Sequence, residues 1–158
     1  GFLPVHAENL GASKSEIGYI TTAGLLAAVG GTIASAWLSK RMGPTVAVLT
    51  ACAATLFSLA IMTVTTDLVV LGGLQVFNGF GRGLMNTVLI SMALASAPVA
   101  LRATAMGSYQ ALYAIGMLLG PAASGPIAEE FGIKMVFWAA AGATVLGAAL
   151  VTVKPLPR

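Results

Sequence analysis

Five stretches of this chain, each about 20 residues or longer, run almost without charge, separated by short polar breaks, and few folds can accommodate that pattern. In water such surfaces would aggregate. In a lipid bilayer each stretch can cross as a helix, the one simple form that satisfies its backbone internally without a closed barrel. The composition agrees: 58% of residues are hydrophobic and 8% charged, against about a quarter charged in soluble proteins, and the mean hydropathy is +0.93. The expected fold is therefore all-α, a polytopic transmembrane helix bundle. It forms a single transmembrane domain over residues 1–158, with spans at about 17–38, 45–65, 68–97, 104–127 and 133–153.

Residues 1–15 read as a polar opening loop that ends in Ser13-Lys14-Ser15-Glu16, with Ser13 or Ser15 as helix cap and Glu16 near the positive helix end. The first residues, GFLPVH, resemble the outer end of a helix begun upstream, so a fragment or processed chain is expected. In the first span Ala23, Gly30 and Ala34 gather on one side, while Tyr19 and Trp37 sit near the two ends, where amphipathic aromatics prefer to lie. Ser39 to Pro44 forms a short basic turn. Cys52, alone in the second span, reads as a small buried apolar residue, and no disulfide framework exists. His6 and Glu8 are placed in the outer loop, the histidine beside a solvated neighbour.

Charge sets the expected orientation. Alternating spans collect Lys40, Arg41, Arg102, Lys154 and Arg158 on one side with no acid. The other side holds Glu8, Glu16, Asp67, Glu129 and Glu130 with only Lys14 and Lys134. The positive-inside rule makes the first side cytoplasmic, with the N-terminus of the segment outside and its C-terminus inside. The net charge of +3 is then a topology signal, and no aromatic-interleaved basic patch points to nucleic acid.

Two features stand out within the spans. The stretch from Met106 to Pro126 carries glycine at Gly107, Gly116, Gly120 and Gly125 and a proline at Pro121. Tyr109, Tyr113, Gly116 and Gly120 fall on one helix face, aromatic toward one end and bare backbone toward the other. Small residues spaced in this way allow close helix packing in membranes, and Pro121 predicts a kink or hinge. The second feature is Arg82, deep in the third span, where an arginine costs on the order of 2.5–3.5 kcal/mol. Gln75, Asn78, Arg82 and Asn86 share an arc of roughly 80°, a continuous polar stripe that should face a bundle interior or a watery cavity. Such a stripe serves either a structural hydrogen-bond network or contact with a substrate, particularly one bearing an acceptor or negative group.

These pieces, in this order, resemble the major facilitator superfamily (MFS) of secondary transporters. Gly107, Gly116, Gly120-Pro121 and Ser124-Gly125 are similar to the glycine-proline motif of that family's fifth helix, prominent in its drug antiporters. Leu74 to Gly81 is similar to the fourth-helix pattern, and Ala36 to Gly43 occupies the place of the signature cytoplasmic turn. Lys40 stands where the signature turn usually has aspartate, and Gln75 where the fourth-helix pattern has arginine. Such losses suit the second, C-terminal six-helix half, here lacking its first helix; in a first half, the missing aspartate would instead put the usual gating contacts in doubt.

The resemblance implies an MFS transporter segment in a bacterial inner (plasma) membrane that moves a small solute by alternating access, with drug or multidrug efflux and antiport among the possibilities. Its partners would be a small-molecule substrate, the lipid bilayer, and the missing half of the transporter or a second copy. On this reading Gln75, Asn78, Arg82, Asn86, Tyr109, Gln110 and Tyr113 line the substrate cavity, and Gly107, Gly116, Gly120, Pro121 and Gly125 serve packing and motion. The alternative is a non-transporting helical membrane protein or assembly subunit whose polar stripe holds a partner protein. An enzyme is not expected: there is no His/Cys metal spacing, no nucleophile set and no membrane carboxylate pair, and no cofactor is called for.

Overall fold

The computed structural model describes residues 3–153; residues 1–2 and the tail 154–158, with Lys154 and Arg158 of the charge asymmetry, lie outside the described residues. Every regular element among the described residues is helical: α1 (Leu3–Asn9), α2 (Lys14–Met42), α3 (Pro44–Met62), α4 (Leu68–Ala95), a 3-10 turn at Val99–Leu101, α5 (Arg102–Phe131) and α6 (Ile133–Val153). Helices α2 to α6 are long and apolar enough to cross a membrane, giving a polytopic all-α bundle.

The helix ends follow local chemistry. Ser13 caps α2 in a reciprocal box: the Glu16 amide donates to the Ser13 hydroxyl oxygen, and the Ser13 amide donates to the Glu16 carboxylate at 2.8 Å. Asp67 caps α4, accepting from the Val69 and Val70 amides at 2.7 and 3.3 Å. Between α2 and α3 there is one residue, Gly43, at φ 90°, and Pro44 opens α3 where its missing N–H costs nothing. Gly132, at φ 82°, makes the same one-residue turn between α5 and α6.

Several boundaries differ from the sequence expectation. The opening loop contains a helix: α1 holds Pro4 in its first turn, where proline is tolerated, and buries Ala7 in a cluster with Ala12, Met62, Leu71 and Leu74. The basic turn shrinks to Gly43, because α2 continues through Lys40 and Arg41, whose charge suits the negative end of a helix. Helix α5 likewise begins at Arg102 and carries Glu129 and Glu130 in its last turn. It remains continuous through Pro121 and Pro126.

Helix α4 is the centre of the bundle. It runs parallel to α2, since Gly24 meets Gly79, Ala28 meets Gly83 and Gly31 meets Leu84, and antiparallel to α3, where Met62 clusters with Leu71 and Ala47 and Val48 with Leu84 and Val88. Backbone touches backbone along α2–α4. A Cβ added at Gly79 would strike the Gly24 carbonyl oxygen, one at Gly83 the Ala28 carbonyl oxygen, and one at Gly31 the Phe80 carbonyl oxygen. Gly81 plays the same part toward α3, where a Cβ would lie 2.8 Å from the Ala51 carbonyl oxygen and 2.7 Å from Thr55 Oγ1. Thr87 donates across the α2–α4 seam to Thr32 at 3.3 Å.

The seam on α2 is thus Ile20, Gly24, Gly31 and Ser35, all buried. The small residues expected to gather, Ala23, Gly30 and Ala34, lie one position off it: Ala23 and Ala34 are half-buried and Gly30 is exposed. Helix α6 packs on α3 through Phe137 and Ala141 against Leu59. Helix α5 buries none of its residues within this chain, and nothing lies within 4 Å of a Cβ placed at Gly107, Gly116, Gly120 or Gly125. Large apolar side chains such as Leu26, Ile33, Leu118 and Leu146 point outward, a surface suited to lipid or to further apolar helices.

His6 departs most from its expectation. Rather than sitting in a solvated loop it is buried, edge-on to Phe137 with ring centroids 5.4 Å apart, and its Nε2 has no hydrogen-bond partner among the described residues. Burial and the nearby Lys134 hold its pKa below 6.5, against the raising effect of a hydrogen bond to the Met62 backbone. Glu8 is on the exposed side of α1. Because the folded pKa is lowered, the folded state favours the neutral ring, so the contribution is fully present above the unfolded value and is lost as pH falls through the folded one.

Two predictions follow from this packing. Gly83→Ala should lower the unfolding free energy by about 1–3 kcal/mol through overpacking, whereas Gly30→Ala, which meets nothing within 4 Å, should be neutral or slightly stabilising; thermal unfolding of the detergent-solubilised full-length protein checks the pair. In the same assay, acidification from neutral pH to below 6.5 should destabilise the native protein more than His6→Gln. An identical loss in both would remove His6 from the acid response.

Candidate functional site

The middle of α4 presents three different faces. With successive residues about 100° apart, Gly79 and Gly83 point at α2, Gly81 points at α3, and the remaining arc carries Asn78, Arg82 and Asn86. That third face opens into a groove of about 380 Å³ lined by Thr55 of α3, by Asn78, Arg82, Met85, Asn86 and Leu89 of α4, and by Tyr109 and Tyr113 of α5. Helix α5 stands far enough from α4 to leave the space. The polar stripe therefore lines a cavity, in keeping with the cost of exposing such groups to hydrocarbon.

Hydrogen bonds hold the walls. Tyr109 donates its hydroxyl to Asn86 Oδ1 at 2.8 Å, joining α5 to α4. Tyr113 stacks on Tyr109, with centroids 6.3 Å apart and planes at 13°. The Asn78 side-chain amide donates to Ser58 Oγ of α3 at 3.4 Å, and the buried Ser58 hydroxyl in turn donates to the Thr55 carbonyl of its own helix. Arg82, at the midpoint of α4, is exposed to the groove and makes no hydrogen bond or ion pair among the described residues.

Of the residues expected in a cavity, the structure brings five together: Asn78, Arg82, Asn86, Tyr109 and Tyr113. Gln75 falls within the same arc but lies about two turns N-terminal to Arg82 and packs against α2, its Cγ 2.8 Å from where a Gly24 Cβ would be. Gln110 is exposed and does not line the groove. Three lining residues escaped the sequence reading. Met85 and Leu89 stand at i+3 and i+7 from Arg82, on its own face, and a search for polar periodicity passes over them. Thr55 sits in a span with no charge, and nothing in the sequence distinguishes it from its threonine neighbours.

The described residues hold no cluster of histidine, cysteine, aspartate or glutamate able to bind a metal. The groove's groups can bind, orient and desolvate a small molecule. Comparisons with curated proteins and with solved structures give no match. The sequence profile of the Major Facilitator Superfamily, in contrast, matches residues 1–158. Five spanning helices and a match over the full length agree, and the chain belongs to the major facilitator superfamily of membrane transporters.

Proposed function

We propose that this chain forms one wall of a secondary transporter's solute pathway, with the α4–α5 groove as its substrate face and the opposite wall supplied by another half or a second copy. The observation that carries the reading is Arg82: a guanidinium at mid-helix, facing an open groove, with no partner among the described residues. A purely structural arginine at that depth would be expected to bond a carbonyl or carboxylate of its own bundle. The superfamily membership supplies the class of activity, and alternating access about a midplane site is the mode such folds employ. The face of α5 that begins with Tyr109 and Tyr113 continues as Gly116 and Gly120, uncovered in this chain, and we assign it to contact with the opposite wall. Export of amphiphilic compounds by antiport fits the aromatic lining.

The orientation proposed is that of the charges. Parallel packing of α2 and α4 brings their C-terminal ends together, so Lys40 and Arg41 share an end of the bundle with Arg102, which opens α5. That end is assigned to the cytoplasm.

Alternating access has a test that needs no known substrate. In the full-length protein with Cys52→Ala, a cysteine at Asn86 should react with a membrane-impermeant maleimide added from either side of the membrane, and the modification should arrest cycling. Reaction from one side alone would mean that the groove is a fixed vestibule, and reaction from neither side would make it a structural cleft. Tyr109→Phe, which removes the bond to Asn86 while keeping the ring, should slow turnover severalfold while lowering the unfolding free energy by no more than about 0.5–1.5 kcal/mol, the contribution of one neutral hydrogen bond.

A further inference from the structure

We infer that the groove selects a small organic anion with an apolar, ring-sized body, an inference that rests on the groove being the solute site. Charge is the first argument. Among the described residues Arg82 is the only ionisable side chain lining the groove apart from the two tyrosines, and it offers five N–H donors and no acceptor.

Among the described residues no acid is placed to neutralise it. Helix α3 contains no charged residue and α4 none but Arg82. Asp67 is engaged at the α4 N-terminus and Glu16 with Ser13. Glu8 lies in α1, and Glu129 and Glu130 close α5, Glu129 being about 30 Å along the helix from Tyr109 at 1.5 Å per residue. A cationic solute would meet an unscreened like charge, whereas a carboxylate or sulfonate would receive the paired, planar donors that a guanidinium provides.

Hydrogen-bond polarity is the second argument. Tyr109 already donates to Asn86 Oδ1, whereas the N–H2 group of Asn86 makes no hydrogen bond among the described residues and keeps both of its donors for a ligand. Arg82 and Asn86 are one helical turn apart on the same face, and together they present donors to one region of the groove.

The walls give the third argument. Met85, Leu89 and the stacked pair Tyr109 and Tyr113 offer apolar and aromatic surface beside those donors. A volume of about 380 Å³ holds a compound of one or two rings. An inorganic anion would satisfy Arg82 but leave these walls unfilled, so the apolar body is part of the specification.

The experiment uses three probes that share one ring system and differ in charge: 1-naphthoate, 1-naphthylmethanol and 1-naphthylmethylammonium. Their binding to the full-length protein in nanodiscs is measured by titration for the native sequence, Arg82→Gln and Arg82→Lys. The expected result is naphthoate binding at least roughly tenfold tighter than the neutral or cationic probe, the low end of what a hydrogen bond to a charged group contributes. Arg82→Gln should abolish that preference while keeping the neutral probe's affinity, and Arg82→Lys should retain a preference for the anion.

Equal affinity for all three probes, preference for the cation, failure of all three probes to bind the folded protein, or an anion preference that survives Arg82→Gln would each overturn the inference. The transport reading fails separately. Anion selectivity with the Asn86 cysteine reacting from one side only would leave a selective site that does not alternate; two-sided reaction without anion preference would leave a transporter of some other solute class.

Discussion

The contact on which this molecule depends is the meeting of two peptide backbones, α2 against α4, at Gly24–Gly79, Ala28–Gly83 and Gly31–Phe80. In lipid, burying apolar side chains against one another gains little over burying them in acyl chains, so association rests on close dispersion contact and on polar contacts between backbones. Removing the side chain from the seam brings the most atoms together per turn. The packing also fixes how α4 is rotated. Gly79 and Gly83 can face only a backbone, Gly81 takes up the Ala51 and Thr55 side, and the arc left over must be the one that carries Asn78, Arg82 and Asn86. The position of the polar stripe is in this sense a by-product of where the glycines are.

Rotation alone would leave Arg82 facing lipid at unfavourable depth. Helix α5 flanks the stripe, tied to it through Tyr109 and Asn86 and forming the other wall of the groove that Arg82 faces, yet it buries none of its residues within the chain. The result is a helix tied to α4 at one polar point and lying along α6, with no residue in the bundle's core. The well-packed part, with the clusters around Leu84 and Leu71, and the loosely attached part, α5, meet at the groove. A site between a rigid wall and a more weakly held one can change width without disturbing the core.

What could be read in the sequence follows from how costly each feature is to misplace. The five spans and the Arg82 stripe were legible because charge and amide groups in hydrocarbon are expensive, so their positions are restricted. The Ser13 cap was legible because Ser13 and Glu16 stand at capping-box spacing. The α2 seam was not: Gly30 and Gly31 are adjacent, Ala27 and Ala28 likewise, and a helix with small residues on several faces does not say which one its partner chooses. The glycines of α5 were the more conspicuous series, yet within this chain the close contacts belong to α2 and α4. Helix α1 escaped notice because seven residues show no period, and the burial of His6 depends on Phe137, distant in sequence. The bond from Tyr109 to Asn86 spans 23 positions, and no local pattern encodes it.

The one-residue turns at Gly43 and Gly132 carry a mechanical consequence. A single residue reaches at most about 3.6 Å, less than the roughly 5.4 Å that one helix must travel to shift a full turn along its neighbour. Helices α2 and α3, and likewise α5 and α6, can pivot or splay about their glycines but cannot slide past each other by a turn. The longer links, Thr63–Asp67 between α3 and α4 and the segment around Val99–Leu101 between α4 and α5, are where the chain has slack. Along the chain the bundle is two hinged pairs joined through one central helix, and displacements within each pair reduce to changes of angle.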